Sequence, residues 1–132
     1  MKHLKNIKDI EQTIADNRLC LFYVKAPDCG VCNVMLDKVM RLADQFPSLT
    51  SFYTDITEVP LIAGQFLVYS GPTVLLLMDG KEVYRGSQFI DLEELEYNIN
   101  RFLTLSGRSP NSRTPIFDLN ISELPLSKKR DR

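Results

Sequence analysis

No run of roughly 18 apolar residues, the length a helix needs to cross a bilayer, occurs anywhere in the sequence. The first ten residues, Met1 to Ile10, also lack the apolar core of a secretory signal. The apolar runs that do occur, such as Val74 to Met78, are strand-sized. A cytoplasmic location and no membrane partner are therefore expected. A dominant charge is missing too: 16 Lys and Arg stand against 17 Asp and Glu, so composition gives no reason to expect a nucleic-acid partner. There is no G-x-G-x-x-G and no phosphate loop, hence no organic cofactor is expected. Histidine occurs once and cysteine three times. An odd cysteine count with two of them only two residues apart does not suit a structural disulfide framework. In a reducing compartment it points to redox chemistry or to metal binding.

The 132 residues, 44% of them hydrophobic, suffice for one domain with a modest core. Charge divides the chain in two. Residues 1–105 hold ten Lys and Arg against fourteen Asp and Glu, and residues 106–132 hold six against three. The expected organisation is a domain over 1–105 followed by a polar, basic extension over 106–132. That extension opens with a linker-like run from Ser106 to Pro115. Its later apolar residues, Phe117, Leu119 and Ile121, leave two readings open: a solvated tail, or an extended segment that docks.

Ile7, Ile10 and Ile14 recur at helical spacing and predict a helix within 6–16. Leu19 to Lys25 is apolar on both faces, the pattern of a buried strand. Ala26-Pro27-Asp28 breaks it, and Met35, Val39, Leu42, Ala43 and Phe46 then predict a helix over 29–46 with Asp28 as its N-cap. A strand over 51–56, a short helix over 60–68 and a buried strand over 73–78 follow. Asp79-Gly80 is a hairpin turn leading into a partner strand over 82–85, and a helix over 91–105 closes the domain. The order α-β-α-β-α-β-β-α implies an α/β fold with a mixed central sheet of about four strands flanked by helices.

Cys29-Gly30-Val31-Cys32 falls where the buried strand turns into a helix. Two intervening residues let one helical turn bring both sulfurs within bonding range. The first thiol, at the helix N-terminus, is favoured as a thiolate by unpaired N–H groups and the helix dipole. The second, inside the first turn, is more protected and suits a resolving thiol. Gly71-Pro72-Thr73, ahead of the next buried strand, is either an ordinary strand start or a site for a cis peptide bond.

Together, the Cys29-Gly30-Val31-Cys32 motif after its strand, Gly71-Pro72-Thr73 before the next, the Asp79-Gly80 turn and Gly86 in the last strand resemble the thioredoxin family, over roughly residues 5–105. The resemblance implies a thioredoxin-like fold, a cis Pro72 against the cysteine pair, and a Gly71 backbone that pairs with an extended substrate segment. It also implies a thiol–disulfide oxidoreductase whose redox-active Cys29–Cys32 disulfide needs no other cofactor. Its partners would be a protein or small-molecule disulfide and an upstream electron donor, such as a thioredoxin reductase or a low-molecular-weight thiol. Four positions depart from the family pattern: Asp28 replaces the usual tryptophan, Val31 the proline, Tyr23 aligns with the buried acid, and Gly71 stands where a branched residue usually precedes the cis-proline. A phenol with an ordinary pKa of about 10 is a poor base near neutrality. Asp28 should oppose a thiolate at Cys29, and Lys25 offsets it if it points toward the site. A reductant-leaning pair is expected.

The other readings of these residues are specific. Zinc would need four Cys or His ligands, and only Cys20 and His3 remain beside the pair. Cys20 lies well over about 10 Å along the strand, at about 3.3 Å per residue, and reads as a core thiol, so no metal is expected. The fold could instead serve as a non-catalytic adaptor, or as a redox sensor in which the Cys29–Cys32 state gates partner binding.

Overall fold

The structure is a computed structural model and describes residues 1–106. The expected basic extension, and with it the docking reading of Phe117, Leu119 and Ile121, lies outside the described residues. Nine elements run in order: β1 (Lys2–His3), α1 (Ile7–Asp16), β2 (Leu19–Lys25), α2 (Cys32–Ala43), β3 (Thr50–Asp55), α3 (Leu61–Phe66), β4 (Thr73–Met78), β5 (Lys81–Ser87) and α4 (Leu92–Ser106).

The strands form one mixed sheet ordered β1-β3-β2-β4-β5. Neighbours β1, β3 and β2 are parallel, while β4 runs antiparallel to both β2 and β5. The sheet thus has five strands rather than about four. The extra one, β1, is two exposed residues long and carries no alternating apolar pattern that could betray it.

Alternation along the central strands builds two cores. Leu21 and Tyr23 of β2 and Val74 and Leu76 of β4 face α2 and α4, meeting Leu36, Val39, Leu95 and Ile99. Phe22 and Val24 point the other way with Leu75 and Leu77, meeting Ile10 of α1 and Ile62 of α3. Because both faces of β2 are covered, its residues Leu19 to Val24 are all buried.

Local chemistry sets the element ends. The Asn6 side chain accepts from the Asp9 N–H at 2.8 Å and caps α1. Asp79 and Gly80 have φ of 53° and 80°, the paired left-handed conformations of a tight hairpin. Helix α2 is shorter at both ends than the 29–46 periodicity predicts. It begins at Cys32, with Val31 at the cap position and no side-chain cap. At its far end Gln45 and Phe46 bond back three residues, to Leu42 and Ala43, and tighten the turn.

This topology gathers four connections at one end of the sheet: residues 26–31 after β2, 56–60 after β3, 67–72 before β4 and 88–91 after β5. An α/β sheet of this kind has its functional site in such loops.

Candidate active site

Cys29 and Cys32 sit in the first of these loops and are bonded to each other, with their Cα atoms 5.4 Å apart. The span is ordinary for a disulfide. Cys29 is half-buried, whereas Cys32 is 2% exposed. The sequence placed Cys29 at the helix start and Cys32 within the first turn. Instead Cys32 is the first helical residue, and Cys29 precedes it in the loop, its carbonyl accepting from the Cys32 N–H at 3.3 Å. The bond to Cys32 still holds the Cys29 sulfur at the helix N-terminus, where the dipole favours a thiolate.

Asp28 is not the helix cap. It adopts a left-handed φ of 56°, a conformation that short polar residues tolerate better than most. This turns the chain out of β2 and leaves the side chain exposed. Among the described residues, Asp28 forms no ion pair. Lys25, half-buried at the end of β2, is in register with Asp55 of β3. Partial desolvation pushes the Asp55 carboxyl up, but the hydrogen bonds from Thr57 and the charges of Lys25 and His3 outweigh it, so the group stays below its usual range. Lys25 thus acts on Asp55, and among the described residues it forms no ion pair with Asp28.

Tyr23 is fully buried beneath α2, and its hydroxyl donates to the Cys32 carbonyl at 2.7 Å. Desolvation pushes its pKa well above the usual phenol value. It is a fixed donor that ties β2 to the first helical residue, and not a base. Gly30 faces open space, and Val31 beside it is 56% exposed.

The Gly71–Pro72 peptide bond is cis, as the resemblance implies. Gly71 packs against the cysteine loop: a Cβ added there would lie 2.7 Å from the Ala26 Cβ, 2.8 Å from the Ala26 nitrogen and 3.1 Å from the Cys32 Sγ. Where the family usually has a branched residue, this backbone leaves room for glycine only. Two hydrogen bonds pin the loop. Thr73 Oγ1 donates to the Ser70 carbonyl at 2.7 Å, and the Gln88 N–H donates to the Pro72 carbonyl at 2.7 Å.

Neither of the two remaining metal candidates joins the cysteine pair in a ligand cluster among the described residues. Cys20 lies toward the opposite end of β2, its thiol near the Thr13 and Asn17 carbonyls at 3.8 and 3.7 Å, and burial pushes its pKa up to about 11. His3 bonds Glu58 at 2.7 Å and stacks on Tyr53. No group of three potential metal ligands occurs among the described residues. Nor is any described helix long and apolar enough to cross a membrane.

Sequence reasoning missed several supporting residues. Tyr69 and Phe89, 74% and 92% exposed, lie in the 67–72 and 88–91 connections, which the Gln88–Pro72 hydrogen bond joins. Arg85 of β5 donates to the Phe66 and Leu67 carbonyls at 2.6 and 3.0 Å while paired with Glu82. It thereby anchors Leu67, whose left-handed φ of 55° starts the chain toward that loop. Apolar sequence alone gives no signal that Tyr69 and Phe89 would remain outside the core.

The thioredoxin family model matches residues 2–101. The chain belongs to the thioredoxin family. Among relatives, it is 31% identical over 105 residues to the thioredoxin-like protein YdfQ of Bacillus subtilis, covering 80% of this chain and 94% of that one. It is 28% identical over 79 residues to Saccharomyces cerevisiae thioredoxin-1, covering 60% and 77% of the two chains. Among solved structures, Fasciola hepatica thioredoxin is 30% identical with a TM-score of 0.69, over 76% of this chain and 98% of that one. The thioredoxin match ends before residues 106–132, the segment set apart by its charge.

Proposed function

We propose that this member of the thioredoxin family is a thiol–disulfide oxidoreductase that reduces disulfides through Cys29 and Cys32. The observation that carries the reading is the asymmetry of the bonded pair: one half-exposed sulfur, and one nearly inaccessible sulfur at the first helical residue, with the cis Gly71–Pro72 loop beside it.

Cys29, as a thiolate, attacks one sulfur of a substrate disulfide. The Cys29–substrate bond forms, the substrate S–S bond breaks, and the first product leaves as a thiolate that takes a proton from water. Cys32 then loses its proton and attacks Cys29 Sγ, releasing the second substrate thiolate. The substrate gains two electrons and two protons, and the Cys29–Cys32 disulfide is restored. Tyr23 offers no base for that second step, so the Cys32 proton leaves to solvent or to the departing thiolate. An upstream donor, of thioredoxin-reductase type or a low-molecular-weight thiol, returns two electrons in a reducing compartment such as the cytoplasm. The backbone of Gly71 pairs with an extended stretch of substrate, while Gly30 and Val31 form part of the contact surface.

The exposed Val31, Tyr69 and Phe89, together with the absence of a base at Tyr23, favour a second reading: an adaptor or redox-sensing module that holds a protein partner. Disulfide turnover with dithiothreitol as donor separates the two. Reduction should be lost in Cys29→Ser, and Cys32→Ser should accumulate a mixed disulfide through Cys29. Full turnover by Cys29→Ser would refute the oxidoreductase reading. Partner retention by the double Cys29/Cys32→Ser variant, without turnover in the unmodified chain, would establish the adaptor.

A further inference from the structure

The end of the sheet that carries the cysteine pair is acidic. Its loops and the adjoining first turn of α4 hold Asp28, Asp55, Glu58, Asp91, Glu93 and Glu94. Among the described residues at this end, Lys25 lies in register with Asp55 and helps hold its carboxyl low, and the His3 ring bonds Glu58. Asp28 is set apart by two facts. It is next to Cys29 in the chain, with adjacent Cα atoms only about 3.8 Å apart. Its left-handed backbone also leaves the carboxylate exposed, with no ion pair among the described residues. Exposed charges are screened over about 8 Å at physiological ionic strength, so Asp28, one residue from Cys29, is the carboxylate best placed to act at its sulfur. The more distant ones act mainly on encounter.

We propose that Asp28 makes the Cys29–Cys32 pair selective for disulfides carrying positive charge beside their sulfurs, such as polypeptide disulfides flanked by Lys or Arg. The proposal rests on the oxidoreductase reading and names its substrate class. An incoming cation offsets the Asp28 carboxylate as the Cys29 thiolate approaches, whereas an anionic disulfide adds a third negative charge to the encounter. The exposed Val31 and Tyr69 supply apolar contact on the same rim and leave discrimination by charge to Asp28. Anionic low-molecular-weight disulfides are then poor substrates, and polypeptides with basic flanks good ones.

Three small disulfides test this on the reduced full chain: cystamine with two positive charges, 2-hydroxyethyl disulfide with none, and 3,3′-dithiodipropionate with two negative. The rate at which each oxidises the cysteine pair is divided by its rate with dithiothreitol, which removes the probe's own reactivity. At low ionic strength the normalised rate for cystamine should exceed that for dithiodipropionate by about tenfold or more, shrinking toward unity in about 0.5 M salt. Asp28→Asn should cut the ratio severalfold. Asn also tolerates the left-handed backbone, and any change in Cys29 nucleophilicity alters all three probes alike and cancels in the ratio. Equal normalised rates, or a ratio unmoved by Asp28→Asn, would overturn the charge selectivity while leaving the redox reading intact. If none of the probes oxidised the pair, the oxidoreductase reading would fall, and this proposal with it.

Discussion

Gly71 offers the sharpest test of how tightly the site is built. In Gly71→Ala, the new Cβ would lie 2.7 Å from the Ala26 Cβ, 2.8 Å from the Ala26 nitrogen and 3.1 Å from the Cys32 Sγ. The first two distances are below any ordinary contact, and the atoms met belong to or sit directly on backbone, so no flexible side chain can swing aside. The loop before β4 must move away from the cysteine loop, against the Thr73–Ser70 and Gln88–Pro72 hydrogen bonds. Overpacking of this kind costs about 1–3 kcal/mol. For a domain near 100 residues, each kcal/mol lowers Tm by about 4–8 °C. Gly30→Ala is the matched control, because its Cβ would meet nothing within 4 Å. Its expected change is within about 0.5 kcal/mol. Urea unfolding and thermal melts of the oxidised proteins measure both. Equal stability of the two variants would refute the close approach of Gly71 to the cysteine loop.

Tyr23→Phe removes the donor to the Cys32 carbonyl, and a buried hydrogen bond of this type contributes about 1 kcal/mol. Because the phenol does not titrate near neutrality, the variant's reduction rate between pH 6 and 9, roughly the span around the ordinary thiol range, should keep the wild-type pH profile; a lost inflection would assign Tyr23 a proton-transfer role. Cys20 titrates at about 11 in the fold, above an exposed thiol at about 8.5. The folded state therefore holds that proton longer than the unfolded chain. The resulting stability is complete below about pH 8.5 and is lost as pH rises toward 11. Denaturant midpoints should fall over that window, and less so in Cys20→Ala relative to its own neutral value. Iodoacetamide at pH 8, close to the ordinary thiol pKa of about 8.5, should label Cys29 alone in the reduced folded protein, and Cys32 and Cys20 only after unfolding. Arg85→Met strips the donors from the Phe66 and Leu67 carbonyls and should destabilise the domain by about 1–3 kcal/mol, read by urea unfolding.

Most of the fold was legible because its signals are strong and local. The two-faced apolar pattern of Leu19–Val24 identified the central strand, the 3.6-residue periodicity of α2 and α4 their buried faces, and Asp79-Gly80 its hairpin. The short edge strand β1 was not legible, since two exposed residues have no periodicity to read. The cysteine pair and the Gly71–Pro72 turn were visible as motifs. Their arrangement was not. Asp28 fits an N-cap by type, yet its backbone is left-handed and its carboxylate forms no ion pair among the described residues. The destination of Lys25 depended on cross-strand register with Asp55, a tertiary fact that no local pattern carries. Gly71 looked like a departure from the family pattern until the contact with Ala26 and Cys32 Sγ gave it a steric cause.

The central claim, that Cys29 and Cys32 form a working redox pair, is tested most directly by the pair's reduction potential. The full chain is equilibrated with graded glutathione or dithiothreitol buffers, and free thiols are trapped at each point. One reversible two-electron transition confined to Cys29 and Cys32 is expected, near the roughly −270 mV of a cytosolic reductant of the thioredoxin type. Failure to form a reversible intramolecular disulfide at any buffer ratio would contradict it and move the function to partner binding.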